Sequence, residues 1–257
     1  MSAIIIVGSI AVILGLSLAV AAKFFAVDTD SRIEEITDIL PGVNCGGCGY
    51  SGCSQYATVI VNDNAKTNLC PVGKNKVANE IAEKLGRKAE EIEEKTAFVK
   101  CSGTCNTTEM KYNYDGVMDC FTASKLAGGP KVCNSACIGL GTCKKECKFG
   151  AIEVVNGLAM INPKICTACG KCVDACPKGI IELHKKAKNR PYIACSSPLF
   201  GKNVSGVCTK GCIGCGICAK VCPKEAIELQ DCLPAISVDK CINCGLCIEK
   251  CPRKVIL

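Results

Sequence analysis

The sequence predicts an α+β protein in which an N-terminal transmembrane helix precedes a small four-cysteine domain and two tandem cysteine-rich modules. Three observations carry that expectation. The 257 residues include 26 cysteines but no Trp, six Phe and five Tyr. The spacing Cys-x2-Cys-x2-Cys-x3-Cys occurs three times, and the segment from Cys133 to Glu182 overlays Cys208 to Leu257 at a constant offset of 75 residues.

The three complete runs are Cys166, Cys169, Cys172, Cys176; Cys212, Cys215, Cys218, Cys222; and Cys241, Cys244, Cys247, Cys251. An altered copy stands at Cys137, Cys143 and Cys147. In two-cluster ferredoxins the first three cysteines of such a run hold one [4Fe-4S] cluster and the fourth crosses to the other. The runs and the repeat therefore predict two bacterial-type 2[4Fe-4S] ferredoxin-like modules, residues 133–184 and 208–257, joined by a linker over 185–207. Each has a short β-forming stretch between its runs, Ala151–Val155 and Ala226–Leu229.

The expected ligand sets are Cys133, Cys137, Cys143 with Cys176; Cys166, Cys169, Cys172 with Cys147; Cys212, Cys215, Cys218 with Cys251; and Cys241, Cys244, Cys247 with Cys222. The first set is irregular because Leu140 stands where the second repeat has Cys215. Cys133 is the nearest replacement, and a cubane lacking one iron is the alternative. Cys208 then has no assigned role, and Cys232 reads as an ordinary buried thiol. Zinc sites use two separated ligand pairs, and a disulfide framework is not expected to repeat this spacing, so both fit the complete runs poorly.

Residues 1–26 open with an uncharged stretch, Ala3–Ala22, long enough as a helix to cross a hydrocarbon core. No basic residue precedes it, as one would in a secretory signal, and Lys23, Lys66, Lys74 and Lys76 follow. This predicts a single-pass anchor in the cell membrane with the cysteine-rich body on its cytoplasmic side. In residues 27–100, Ile33, Ile36 and Leu40 mark a short amphipathic helix that Pro41-Gly42 stops. Cys45, Cys48, Cys53 and Cys70 follow, four thiols that could hold a cubane or a zinc ion. Residues 75–98 read as helical, with Val77, Ile81 and Leu85 on one face and Ile92 and Phe98 in a second segment.

The connecting segment 101–132 carries Cys101, Cys105 and Cys120. With Cys195 as fourth ligand, or Cys208, these make a sixth cluster; buried free thiols are the alternative, leaving five. Modules this small have little apolar core, so bound metal must supply much of their folding free energy.

The formal charge of +7 omits the cofactors. Six clusters at about −2 each bring it to about −5, and no nucleic-acid motif is present. Lys185, Lys186, Lys188 and Arg190 form either a solvated loop or a patch that steers an acidic partner. His184, the single histidine, reads as an ordinary polar residue. No nucleotide cradle or nucleophile–base pair is recognisable, so no catalytic residue is assigned.

Leu40-Pro-Gly-Val-Asn-Cys-Gly-Gly-Cys-Gly-Tyr-Ser-Gly-Cys53, Cys101-Ser-Gly-Thr-Cys105, Gly128-Gly-Pro-Lys-Val-Cys133 and Cys137-Ile-Gly-Leu-Gly-Thr-Cys143 follow one another in this order, with the later runs behind them. In this the chain resembles the RnfB family, the iron–sulfur electron-input subunits of the Rnf complexes, in its long, cluster-rich form. Those complexes are membrane-bound ion-translocating ferredoxin:NAD+ oxidoreductases. The first motif is also similar to domains of corrinoid iron–sulfur proteins. Lys148, where proline is usual, and Cys232 depart from the pattern. The resemblance implies a subunit that accepts electrons from soluble ferredoxin and relays them through [4Fe-4S] clusters toward flavin- and NAD-binding subunits, coupled to Na+ or H+ translocation. An electron-input subunit of another membrane oxidoreductase, such as a hydrogenase, and a structural metal protein are the alternative classes.

Overall fold

The computed structural model describes residues 2–24, 30–186 and 190–257. Met1, residues 25–26 of the expected anchor and Lys188 of the basic cluster lie outside the described residues. The chain opens with helix α1 (Ser2–Phe24), whose Ile, Val and Leu side chains are exposed. Among the described residues no helix is long and apolar enough to cross a membrane. The expected transmembrane helix, and the single-pass localisation argued from it, are corrected on that ground.

Three helices form the next body: α2 (Ser31–Ile39), α3 (Cys53–Asn62) and α4 (Lys74–Lys84). Asp30 caps α2 by accepting the Arg32 N–H. Ile36, Tyr56, Ile60 and Ile81 are buried between the three, with Cys70 in the same cluster. Residues 75–84 are helical as expected, but the second segment is not. Gly86, at φ +62°, ends the helical stretch, and β1 (Lys95–Val99) carries Phe98 in a strand. β1 pairs antiparallel with β4 (Ile181–Lys185), Val99 opposite Ile181, and so joins the first module.

The two repeats are built alike. After α5 (Cys120–Lys125), the first holds α6 (Thr142–Lys145), the hairpin β2 (Ile152–Val155) and β3 (Leu158–Ile161), and α7 (Lys171–Asp174). After α8 (Gly201–Ser205), the second holds α9 (Ile217–Lys220), β5 (Ile227–Gln230) with β6 (Leu233–Ile236), and α10 (Leu246–Lys250). Ile152 pairs with Ile161, and their 75-residue equivalents Ile227 and Ile236 pair in the same way.

One-turn helices have no stability of their own. Each of these four starts from a left-handed glycine: Gly141, Gly170, Gly216 and Gly245, at φ +82°, +83°, +70° and +79°. That turn carries the third cysteine of each run inward, and Cys143, Cys172, Cys218 and Cys247 are all buried. Small apolar clusters wrap these sulfurs, one per module, and no common core unites them.

The hairpin turns show where the repeat has drifted. Asn156-Gly157, at φ +48° and +69°, has the sequence favoured by a type I′ turn. In the second repeat Asp231-Cys232 adopts the same angles, +47° and +68°, with a side chain where glycine belongs. Replacing Cys232 by Gly is expected to stabilise the holoprotein by about 1 kcal/mol with its iron unchanged. The opposite is expected of Gly139→Ala, whose Cβ would lie 2.3 Å from the Gly157 carbonyl oxygen. That variant should lose iron from the first module. Anaerobic denaturant titrations read from cluster absorbance, with iron analysis, check both.

Candidate metal centres

Cysteines gather at six places. In the N-terminal body, the Asn44 side chain accepts the Cys53 N–H at 2.7 Å and so ties the Cys45 loop to the start of α3. The Tyr56 hydroxyl donates to Lys66 O at 2.7 Å and accepts the Leu69 N–H at 3.1 Å, which fixes the loop leading to Cys70. Burial pushes the Cys70 thiol above its ordinary range, and nearby Cys45 and Cys53 add to the effect. Cys48 packs in the same cluster.

A second group is Cys147, Cys166, Cys169 and Cys172. Burial pushes Cys172 up to about 12, and nearby Cys166, Cys169 and Cys147 add to the effect. The N-terminal body lies directly against it. A Cβ on Gly47 would stand 3.0 Å from the Cys169 Cα and 2.7 Å from the Pro71 ring, so only glycine permits this approach. Lys148 Nζ donates to Val43 O at 3.1 Å across the same seam. The residue that breaks the Cys-Pro pattern thus joins two bodies.

A third group departs from the expected set. Cys137, Cys143 and Cys176 line one cavity together with Cys120; Cys133 does not reach it. The cause is local. Asp119 accepts the Thr122 N–H and the Thr142 hydroxyl, at 2.7 and 2.9 Å, and the same hydroxyl accepts the Cys120 N–H at 2.7 Å. These bonds, the Thr122 N–H foremost, hold the Asp119 carboxyl below the usual range. They also pin Cys120 beside Cys143, so that it lines this cavity as Cys215 lines that of the second repeat. Burial pushes Cys137 to about 11 and Cys143 to about 12.

In the second repeat, Cys212, Cys215, Cys218 and Cys251 line the equivalent cavity. Cys241, Cys244 and Cys247 lie together, and Cys222 packs in the same cluster as Cys247. The remaining gathering also differs from the expected sixth set. Cys101 and Cys195 share a cavity with Cys133 and Cys208. Cys120 belongs to the third group, and Cys105 is exposed against the β2–β3 turn, where a Cβ on Gly157 would lie 2.4 Å from its sulfur.

Among the described residues no three of His, Cys, Asp or Glu converge closely enough to hold a single metal ion. The thiols instead ring cavities of nearly equal empty space, about 350, 340 and 360 Å³, mouths included. The donor set suits an iron–sulfur cluster, because thiolate is the usual ligand of cluster iron. Backbone amides already address these sulfurs: the N–H groups of Gly73, Ala168 and Ala226 donate to Cys70, Cys166 and Cys222 at 3.4, 3.4 and 3.3 Å. The buried hydroxyls of Ser102 and Thr167, each next to a cysteine of these rings, have no hydrogen-bond partner among the described residues. A thiol raised to 11 or 12 keeps its proton at neutral pH until iron displaces it.

The basic cluster is less free than its sequence suggests. Lys185 and Lys186 pair with Glu93 and Glu94, and Arg190 donates to the Lys185 and Val238 carbonyls. His184 packs against Phe98 with ring centroids 4.1 Å apart, and burial lowers its pKa.

Thr167→Val should lower the reduction potential of the neighbouring cluster by on the order of 40 mV, the equivalent of about 1 kcal/mol for the hydrogen bond this unpartnered hydroxyl would give cluster sulfur. A potentiometric titration followed by EPR reads the shift.

Sequence comparison accounts for the same regions. A family model described as "Putative Fe-S cluster" matches residues 40–72, and models of a "4Fe-4S dicluster domain" match residues 136–181, 165–226 and 211–255. The chain is 42% identical to the B subunit of the Na(+)-translocating ferredoxin:NAD(+) oxidoreductase complex of Acetobacterium woodii, over 79% of this chain and 61% of that protein. It thus spans less than two thirds of that relative. It is 40% identical to the B subunit of the ion-translocating oxidoreductase complex of Methanosarcina acetivorans, over 80% and 81% of the two chains. With the B subunit of the proton-translocating ferredoxin:NAD(+) oxidoreductase complex of Clostridium ljungdahlii it shares 39% identity, over 81% and 74%. A chain most of whose ring cysteines fall where the cluster models match, and which aligns with these proteins along most of its length, belongs to the RnfB family of ion-translocating oxidoreductase subunits.

Proposed function

We propose that this protein is the electron relay of an Rnf-type ferredoxin:NAD+ oxidoreductase complex, moving electrons from reduced ferredoxin toward flavin- and NAD-binding subunits while the complex translocates Na+ or H+. It makes and breaks no substrate bond. The observation that supports the reading is the contiguity of the cysteine groups. Gly47 seats the Cys45 loop on Cys169, and Cys172 adds to the shift of Cys143 in the next group. Short gaps between stations are what single-electron transfer requires.

Five [4Fe-4S] clusters follow from these groups: Cys45, Cys48, Cys53 and Cys70; Cys147, Cys166, Cys169 and Cys172; Cys120, Cys137, Cys143 and Cys176; Cys212, Cys215, Cys218 and Cys251; and Cys222, Cys241, Cys244 and Cys247. When bound, each supplies reversible electron transfer at low potential. The protein's part is to hold the thiolates, aim N–H and O–H groups at sulfur, and set exposure. The C-terminal module is suited to receive ferredoxin. Cys244 is exposed there, beside exposed Ile242, Val238 and Lys250, with exposed Lys240 paired to Glu228 at 4.0 Å. An acidic donor is steered by such lysines and held by the apolar residues.

The test uses the full chain, purified without oxygen and mixed with substoichiometric reduced ferredoxin. Cluster bleaching should be rapid and should slow as salt rises. Lys240→Glu with Lys250→Glu should slow it about tenfold or more at low salt, with iron content unchanged. A fully loaded protein that ferredoxin does not reduce would overturn the reading.

A further inference from the structure

One ring of thiols is left over by those five sets, and its members are related by the repeat. Cys133 and Cys208 are equivalent at the 75-residue offset. Cys101 and Cys195 are not, yet the fold makes them equivalent. Cys101 lies two residues past Val99, which pairs with Ile181; Cys195 lies two residues past Ile193, which pairs with Ile256, the repeat equivalent of Ile181. The residues between make matching bonds, Lys100 N–H to Ile180 O at 2.7 Å and Ala194 N–H to Val255 O at 2.8 Å. The sulfurs also accept matching donors: Cys137 N–H to Cys101 Sγ and Cys212 N–H to Cys195 Sγ, both at 3.4 Å. Each repeat therefore gives two thiols to one shared cavity.

We propose that this cavity holds a sixth [4Fe-4S] cluster, bound by Cys101 and Cys133 of one repeat and Cys195 and Cys208 of the other, which bridges the two ferredoxin-like modules. The proposal rests on the relay reading and gives it its missing span. Cys137 and Cys212 belong to the flanking sites, so one amide hydrogen bond joins the shared ring to each neighbour. An electron crosses there singly, leaving one flanking site and arriving at the other, with no bond made or broken.

Two further features fit an anionic occupant. Lys131 is 3% exposed, and its ammonium donates only to carbonyls among the described residues, Gly103 O at 2.8 Å and Gly157 O at 2.7 Å. A buried cation requires a nearby negative charge, and the thiolates of this ring are the candidates at hand. The ring also offers hydroxyl donors: Thr108 to Cys208 Sγ at 3.5 Å, and the unpartnered Ser102.

The experiment uses the full chain, isolated anaerobically and reduced with dithionite, with iron analysis and EPR as readouts. Cys133→Ser and Cys208→Ser should each remove, or shift, the same EPR component, with up to about four of about 24 irons lost. The double variant should lose no more than either single one, and Cys105→Ser should lose nothing. Two different components affected, about eight irons lost from the double variant, or iron lost from Cys105→Ser would overturn the proposal. If the ligand variants fail to fold, Lys131→Met decides. Its potentiometric titration should move the potential of one component, or of that and the adjoining one, downward; no component moving, or all of them moving, rejects the site. Ferredoxin is absent from these measurements, so a failure of the donor assay leaves their outcome standing.

Discussion

The burial of thiols is the constraint on which this structure depends. Each packed region of the body includes cysteine sulfur among its apolar side chains. Packing of this extent leaves a module only weakly stable. Bonds from thiolate to iron reverse that balance. In the two repeats the secondary structure is correspondingly slight: four-residue hairpin strands, and short helices that carry the third cysteine of each run.

What the sequence made legible was local or strictly periodic. The runs are local, so Cys166 to Cys172 and Cys241 to Cys247 could be grouped by eye. The hairpins and the left-handed glycines recur at 75 residues and follow with them. What escaped was held by contacts between distant segments. Cys120 reaches its ring through Asp119 and Thr142, a bond across 23 positions that no spacing rule encodes. Strand β1 is a strand only because β4 lies beside it, and read alone its residues continue a helix.

The equivalence of Cys101 and Cys195 was hidden for another reason. A repeat shows in sequence only while its offset is constant. Here the strand that carries each of these cysteines is separated from its module by an insert, residues 102–132 in one copy and the shorter 196–207 in the other. The offset changes across the insert, although the strand pairing on either side of it does not. Cys105, only four residues from Cys101, looked like the better partner because proximity in sequence was the available measure. Its exposure against the β2–β3 turn removes it.

The longer insert also changes what the first module can do. In the second repeat the second ligand position is Cys215, which is exposed; in the first, Leu140 fills that position and the buried Cys120 supplies the thiol from the insert. Two rings of common descent therefore differ in solvent access. Reduction adds negative charge, and a less solvated ring resists it more strongly. Left alone, that difference would make a cluster in the interior ring harder to reduce than one in the exposed ring. Lys131 acts against it. Its charge lies close enough to Cys101 and Cys137 to favour the ionised form of both thiols. A buried cation beside Cys101 and Cys137 offsets part of the penalty of burial in the two rings that solvent cannot help.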